Sequence, residues 1–76
     1  MKLTKPRRRV LIGLDNRGGK ANNYALGYPR SNMMHGMFMD GLLGIEGPVN
    51  AFGEPAHDGF WTLTDAGRAA LRDKQP

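Results

Sequence analysis

The chain has 76 residues, of which 39% are hydrophobic and 24% are charged, and its formal net charge is +4. This length suits one small domain, so we expect residues 1–76 to form a single domain with frayed ends at 1–3 and 73–76. No apolar run is long enough to span a membrane, and the absence of cysteine excludes disulfides and thiolate metal sites. These features predict a cytoplasmic protein without a membrane partner.

The charge is distributed unevenly along the chain. Residues 1–30 contain eight Lys or Arg against one Asp, a net charge of +7. Residues 31–76 contain three Lys or Arg against six Asp or Glu, a net charge of −3. We therefore expect one part of the molecule to attract polyanions and another part not to do so.

The first helix is predicted to start after Thr4 and to end near Asn16. Threonine is a good N-cap, and Pro6 is tolerated in the first helical turn. Three apolar residues then follow the spacing of one helical face: Val10, Leu11 and Leu14. The glycine pair at 18–19 ends the helix and opens a turn.

Two further helices are predicted before the first strand. Residues 20–26 have some apolar content and could form a short helix, although two asparagines lower its propensity. Ser31 is expected to cap a third helix that ends near Asp40, with Gly41 in the left-handed position beyond it. Helical periodicity turns three residues of this helix inward, namely Met34, Met37 and Phe38, and leaves Asn32, Gly36 and Met39 opposite.

The rest of the chain predicts a β-hairpin and a last helix. Residues 43–46 and 60–63 are the predicted strands, and the Gly- and Pro-rich stretch 47–58 is their loop. Thr64 can cap a final helix that runs from Asp65 to about residue 72.

Two short motifs carry a resemblance to a known family. Residues 63–68 read Leu-Thr-Asp-Ala-Gly-Arg between a strand and an alanine-rich helix, and residues 41–43 read Gly-Leu-Leu after the third helix. Both resemble segments of bacterial and phage winged helix-turn-helix proteins. The resemblance implies an α+β, mainly α fold with three helices, a two-stranded β-hairpin wing and a C-terminal helix. It also implies a protein that binds double-stranded DNA, as a transcriptional regulator or an accessory factor in DNA transactions.

The resemblance and the positive charge of the chain together give candidate DNA contacts. In this family the third helix usually enters the major groove, which makes its exposed side the candidate base reader: Arg30, Ser31, Asn32 and His35. Asn32 is the most suitable of these, because a carboxamide can pair twice with the edge of adenine. Five cations are candidate phosphate contacts: Lys5, Arg8, Arg9, Arg17 and Lys20. The alternative interpretation is that Ser31 and Asn32 only cap the helix and that the cations are solvated.

The predicted wing does not fit the simplest DNA-binding picture. The loop 47–58 carries Glu54 and Asp58 and no cation, whereas a wing that grips DNA usually presents Arg or Lys. A protein-interaction module of the phage inhibitor or adaptor type, built on the same fold, is therefore the alternative function. Its partner would be another protein or, in a homodimer, a second copy of the chain.

Catalysis has little support in the sequence. The chain has two histidines and scattered carboxylates, but no nucleophile–histidine–acid arrangement, phosphate-binding glycine motif or metal-ligand spacing. We expect a protein that acts by binding alone, with no cofactor, no metal and no small-molecule substrate.

Overall fold

The computed structural model describes residues 3–72, which form an α+β fold of three helices and a three-stranded antiparallel sheet. In chain order the elements are α1 (Lys5–Asn16), β1 (Lys20–Ala21), α2 (Ser31–Met39), β2 (Leu43–Glu46), β3 (Phe60–Leu63) and α3 (Asp65–Arg72). The central strand is β3, with β1 on one side and β2 on the other. The predicted α+β class is confirmed. No helix in residues 3–72 combines the length and apolar character that crossing a membrane requires.

Helix α1 has the predicted bounds because both of its ends are capped locally. At the start, the Arg7 N–H donates to Thr4 Oγ1 at 3.4 Å. At the end, the Gly19 N–H reaches back to the Leu14 carbonyl at 2.7 Å while Gly18 adopts φ +80°. This left-handed closure satisfies helix carbonyls and favours glycine, as the sequence predicts.

The core forms between the inner face of the sheet, α1 and α2. Trp61 on β3 is completely buried and lies between Ala21 of β1 and Ile45 of β2 in the strand register. The buried apolar side chains are Leu3, Val10, Leu11, Leu14, Ala21, Met34, Met37, Leu42, Leu43, Trp61 and Leu63. Met34 and Met37 are 1% and 0% exposed, so their predicted inward orientation is confirmed.

The predicted helix over residues 20–26 is wrong. Its first two residues form β1, which pairs with β3, and a single turn follows. In that turn the Ala25 N–H donates to Asn22 Oδ1 at 2.8 Å, and the Tyr28 N–H donates to the Asn23 carbonyl at 2.8 Å. Asparagine competes in this way with regular helix hydrogen bonds. The hairpin therefore belongs to a three-stranded sheet rather than to the predicted two-stranded wing.

Helix α2 differs from its prediction in its N-cap and in the orientation of Phe38. Its N-cap is Arg30 instead of Ser31, and the cap side chain makes no hydrogen bond to the first turn. Phe38, predicted to face inward, is 39% exposed and touches the core only at an edge, with its ring centroid 6.4 Å from that of Trp61. The termination is as predicted, because Gly41 has φ +80° and the Leu42 N–H bonds to a carbonyl in the last turn.

The N-terminal boundary also differs. Leu3 was expected to fray, but it is 8% exposed and belongs to the core. An apolar side chain ahead of α1 gains more from burial than it loses in backbone freedom. The frayed ends predicted at residues 1–2 and 73–76 lie outside the described residues.

Helix α3 is joined to the α2–β2 turn through one hydroxyl. Thr64 Oγ1 accepts from the Gly67 N–H at 3.0 Å, as the predicted cap, and donates to the Gly41 carbonyl at 2.6 Å. Gly67 is buried at this junction, where an added Cβ would collide with the Leu42 carbonyl oxygen and lie 2.6 Å from Leu63 Cδ1. A side chain at position 67 is therefore incompatible with the docking of α3.

We expect Gly67→Ala to lower the free energy of unfolding by about 1–3 kcal/mol, because the collision with backbone outweighs the better helix propensity of alanine. The matched control is Gly13→Ala in α1, where the new Cβ would only touch Leu26 Cδ2 at 3.4 Å. That control should be neutral or raise stability by up to about 1 kcal/mol. Urea unfolding of both variants measures the difference, and equal effects would contradict the assigned packing.

Candidate nucleic-acid interface

Three cations follow one side of α1. Lys5 and Arg9 are four residues apart, which places them one above the other on the helix. Arg17 continues this spacing at the helix C-cap, with Gly13 between it and Arg9. All three cations are exposed, and within residues 3–72 none of them forms an ion pair. We call Lys5, Arg9 and Arg17 the basic row.

Two residues of the basic row, Arg9 and Arg17, border a groove that leads to α2. The groove has a volume of about 290 Å³ and is lined by Pro6, Arg9, Val10, Gly13, Arg17, Ala25, Leu26, Pro29 and Met33. Arg9 and Arg17 are the charged members of this lining, and the others are apolar or glycine. Since Met33 lies in the first turn of α2, the groove connects the basic row with the start of that helix.

The N-terminus of α2 is an uncapped, positively polarised helix end. Arg30, Ser31 and Asn32 are all exposed there, and no side chain caps the first turn. The N–H groups of the first three helical residues have no acceptor in the described part of the chain. A cation at a helix N-terminus is unfavourable on its own, whereas an external anion stabilises both the cation and the free N–H groups.

His35 is less accessible than the sequence predicts for a base reader. Its side chain is 40% exposed. Its Nε2 lies 3.8 Å from Oε2 of Glu54, which belongs to the long loop between β2 and β3, residues 47–59. An added Cβ on Gly53 would lie 3.6 Å from the same imidazole. The loop thus covers part of α2 instead of extending away from it, and His35 is partly enclosed.

Two of the predicted phosphate contacts are engaged inside the molecule. Lys20 Nζ lies 3.0 Å from Glu46 Oε1 and 4.8 Å from the centre of the Phe60 ring. Arg8 Nη2 donates to the carbonyl of Leu71 at 3.4 Å, near the C-terminal end of α3. The structure therefore brings Arg9 and Arg17 to the groove that leads to the α2 N-terminus, where Arg30 is the N-cap. Lys20 and Arg8 instead contact partners within the molecule.

The long loop, residues 47–59, is an ordered element. Val49 and Pro55 form an isolated antiparallel bridge. Between them, Asn50 Oδ1 accepts from the N–H groups of Phe52 at 2.9 Å and Glu54 at 3.1 Å. Val49 and Phe52 remain 55% and 79% exposed. The sequence analysis predicts this stretch only as the loop of the β2–β3 hairpin and does not predict the bridge within it.

The sequence prediction also misses a hydrogen bond that holds the turn at 22–28 against the sheet. The indole Nε1–H of Trp61 donates to Asn23 Oδ1 at 2.8 Å. Because Trp61 is fully buried, this bond satisfies a polar group that water cannot reach. The pair is separated by 38 positions, so no local pattern points to it.

The described residues offer no metal site. Within residues 3–72, no three His, Asp or Glu side chains lie close enough together to hold a metal ion.

Comparison of the chain with protein-family models, curated proteins and solved structures gives no match.

We expect Asn23→Ala to lower the free energy of unfolding by about 1–3 kcal/mol, because it leaves the buried indole N–H without an acceptor. Asn23→Asp retains an acceptor oxygen and should lower the free energy of unfolding by less. Asn16→Ala, at the exposed end of α1, is the control and should change stability by less than about 0.5 kcal/mol. Thermal or urea unfolding compares the three variants, and an Asn23→Ala variant as stable as the control would show that the bond contributes nothing.

Proposed function

We propose that the protein is a small cytoplasmic winged helix protein that binds double-stranded DNA, as a transcriptional regulator or an accessory factor. The observation that supports this most is the association of the basic row with the uncapped start of α2. Arg9 and Arg17 line the groove, and Arg30 is the N-cap of α2. Lys5 lies one helical turn before Arg9. All four cations are exposed, and none has an ion-pair partner within residues 3–72. Such an arrangement suits the phosphates of a nucleic acid.

The order of the elements supports the winged helix part of the proposal. Helix α2 precedes the antiparallel pair β2 and β3, whose connecting loop takes the place of the wing. The single turn at 22–28 stands where a helix-turn-helix protein carries its second helix, so the motif here is shortened. The glycine turn at 41–43 and the capped helix after Thr64, which carry the family resemblance, both have the expected local geometry.

In the proposed complex, the cations hold the backbone and α2 reads the bases. Lys5, Arg9 and Arg17 neutralise phosphates, and the free N–H groups at the start of α2 bind a further phosphate oxygen. Asn32 is exposed and contacts base edges, together with Ser31 and Arg30. His35 contributes less, because Glu54 and Gly53 of the loop lie beside it. A single chain with so few base contacts would gain specificity by binding as a dimer or at adjacent sites.

A protein-interaction role is the second candidate, and the long loop favours it. The loop lies against α2, holds Glu54 near His35 and leaves Phe52 79% exposed. An exposed aromatic residue on an ordered, acidic loop is better suited to a protein surface than to phosphates.

The double variant Arg9→Ala/Arg17→Ala tests the basic row. If both guanidinium groups contact phosphates, duplex DNA of random sequence should bind more weakly, and the slope of log K against log salt should fall by about 1.8. Fluorescence anisotropy over a series of salt concentrations measures both quantities.

The matched control is Lys20→Ala/Arg68→Ala, which removes two positive charges from residues that are ion-paired with Glu46 and Asp15. It should change the salt slope by clearly less than the first variant. Equal slopes for the two double variants would contradict the assigned interface, and a wild-type protein that fails to bind duplex DNA at low salt would contradict the function.

Asn32→Ala tests base reading separately. It should weaken binding to a preferred sequence, identified by selection from a random pool, by about 1–3 kcal/mol, while leaving binding to random duplex unchanged. The control is Asn16→Ala, which changes an exposed asparagine of α1 instead of α2. If Asn32→Ala weakens binding to preferred and random DNA equally, or weakens binding to neither, Asn32 is not the base reader.

A further inference from the structure

A second concave surface lies between the turn at 22–28 and the long loop. Its volume is about 620 Å³, and its lining includes Asn22, Asn23, Tyr24, Tyr28 and Asn50. The long loop contributes three more residues to this lining, namely Pro55, Ala56 and His57. We call this surface the asparagine–tyrosine cleft. It shares no lining residue with the groove beside the basic row.

The three asparagines of the cleft have a fixed amide orientation. Asn22 Oδ1 accepts from a backbone N–H, Asn23 Oδ1 accepts from the indole N–H of Trp61, and Asn50 Oδ1 accepts from two backbone N–H groups. Each partner is a donor only, so each asparagine must present its oxygen to the protein. The NH₂ groups are consequently the ends left for another molecule, and none of the three donates to an acceptor within residues 3–72.

The tyrosines add exposed aromatic surface and further donors. Tyr24 and Tyr28 are 77% and 71% exposed, and their rings meet edge to face with centroids 6.2 Å apart. Tyrosine combines a broad contact area with a hydroxyl group and loses little conformational entropy on binding. The cleft thus offers several hydrogen-bond donors beside aromatic faces, which suits a ligand rich in acceptors and poor in donors.

The charge of the cleft discriminates between ligand classes. Its lining contains no Lys, Arg, Asp or Glu. A nucleic-acid backbone would find no cation there to replace its counterions. A partner helix would present few free carbonyls, because helical carbonyls are already bonded within the helix. An extended, uncharged peptide, with free carbonyls and no charge, fits this lining better than either of these two classes.

We propose that the asparagine–tyrosine cleft binds a proline-rich segment of a partner protein in the polyproline II conformation. Polyproline II has no internal hydrogen bonds, so its carbonyls are free to accept, and proline contributes no N–H that would need an acceptor. Such segments dock in aromatic-lined grooves with little loss of entropy. This proposal does not rest on DNA binding, since the two surfaces have no lining residue in common.

The test is a titration of the ¹⁵N-labelled full chain with decaproline, followed by the side-chain NH₂ signals of asparagine. We expect saturable shifts at Asn22, Asn23 and Asn50 and none at Asn32. A glycine–serine peptide of equal length should give no saturable shift, because it is flexible and carries its own N–H donors. An absence of shifts with decaproline, or shifts confined to residues outside the cleft, would overturn the proposal.

Three variants test ligand binding in the cleft separately from the stability of the fold. Asn22→Asp keeps the oxygen that caps Ala25 but removes the NH₂ donor, and it should weaken decaproline binding about two- to tenfold. Asn16→Asp introduces the same charge at the exposed end of α1, outside the cleft, and should leave decaproline binding unchanged. Tyr24→Ala should weaken binding by at least about tenfold, because it removes an aromatic face from the cleft.

Oligothymidylate serves as the competing probe. If it shifts the cleft signals and decaproline does not, the cleft binds single-stranded nucleic acid and the peptide proposal is wrong. If duplex DNA fails to bind while decaproline shifts the cleft signals, the DNA-binding proposal fails and the peptide proposal stands.

Discussion

The burial of Trp61 in the central strand is the interaction on which the rest of the structure depends. The indole fills the space between α1, α2 and the sheet, and its one polar atom is satisfied by Asn23 Oδ1 at 2.8 Å. That bond ties the turn at 22–28 to β3, while the edge contact with Phe38 places α2 against the same ring. One side chain therefore sets the relative positions of the sheet, the turn and α2.

This arrangement produces two surfaces of different chemistry. The turn contributes Ala25 and Leu26 to the groove beside the basic row, and it contributes Asn22, Asn23, Tyr24 and Tyr28 to the asparagine–tyrosine cleft. The first surface carries cations without an ion-pair partner among residues 3–72 and leads to the start of α2, which suits an anionic polymer. The second is uncharged and rich in donors and aromatic rings, which suits a neutral peptide. The two proposals therefore concern separate surfaces of one small domain.

The sequence predicts the elements whose signals are local and misses the contacts that are distant along the chain. Thr4 and Thr64 cap helices, and Gly18 and Gly41 end them, through atoms only a few positions away. Strand β1 has two residues and exists only because β3 pairs with it. Likewise, the partner of Lys20 is Glu46, 26 positions away, so a cation that counts toward a basic surface by composition is paired with a carboxylate in the fold. The residue types of the candidate interface can therefore be predicted from the sequence. Which of the predicted cations belong to it depends on contacts that are distant along the chain.

Hydrogen exchange of the Trp61 indole Nε1–H tests the central role of this residue most directly. If the side chain joins the sheet, the turn and α2, its N–H exchanges only when the whole domain unfolds. The opening free energy from exchange should then equal the free energy of unfolding from urea denaturation. An indole N–H that exchanges through a local opening, well below that value, would show that the turn detaches from the sheet independently and would contradict the account.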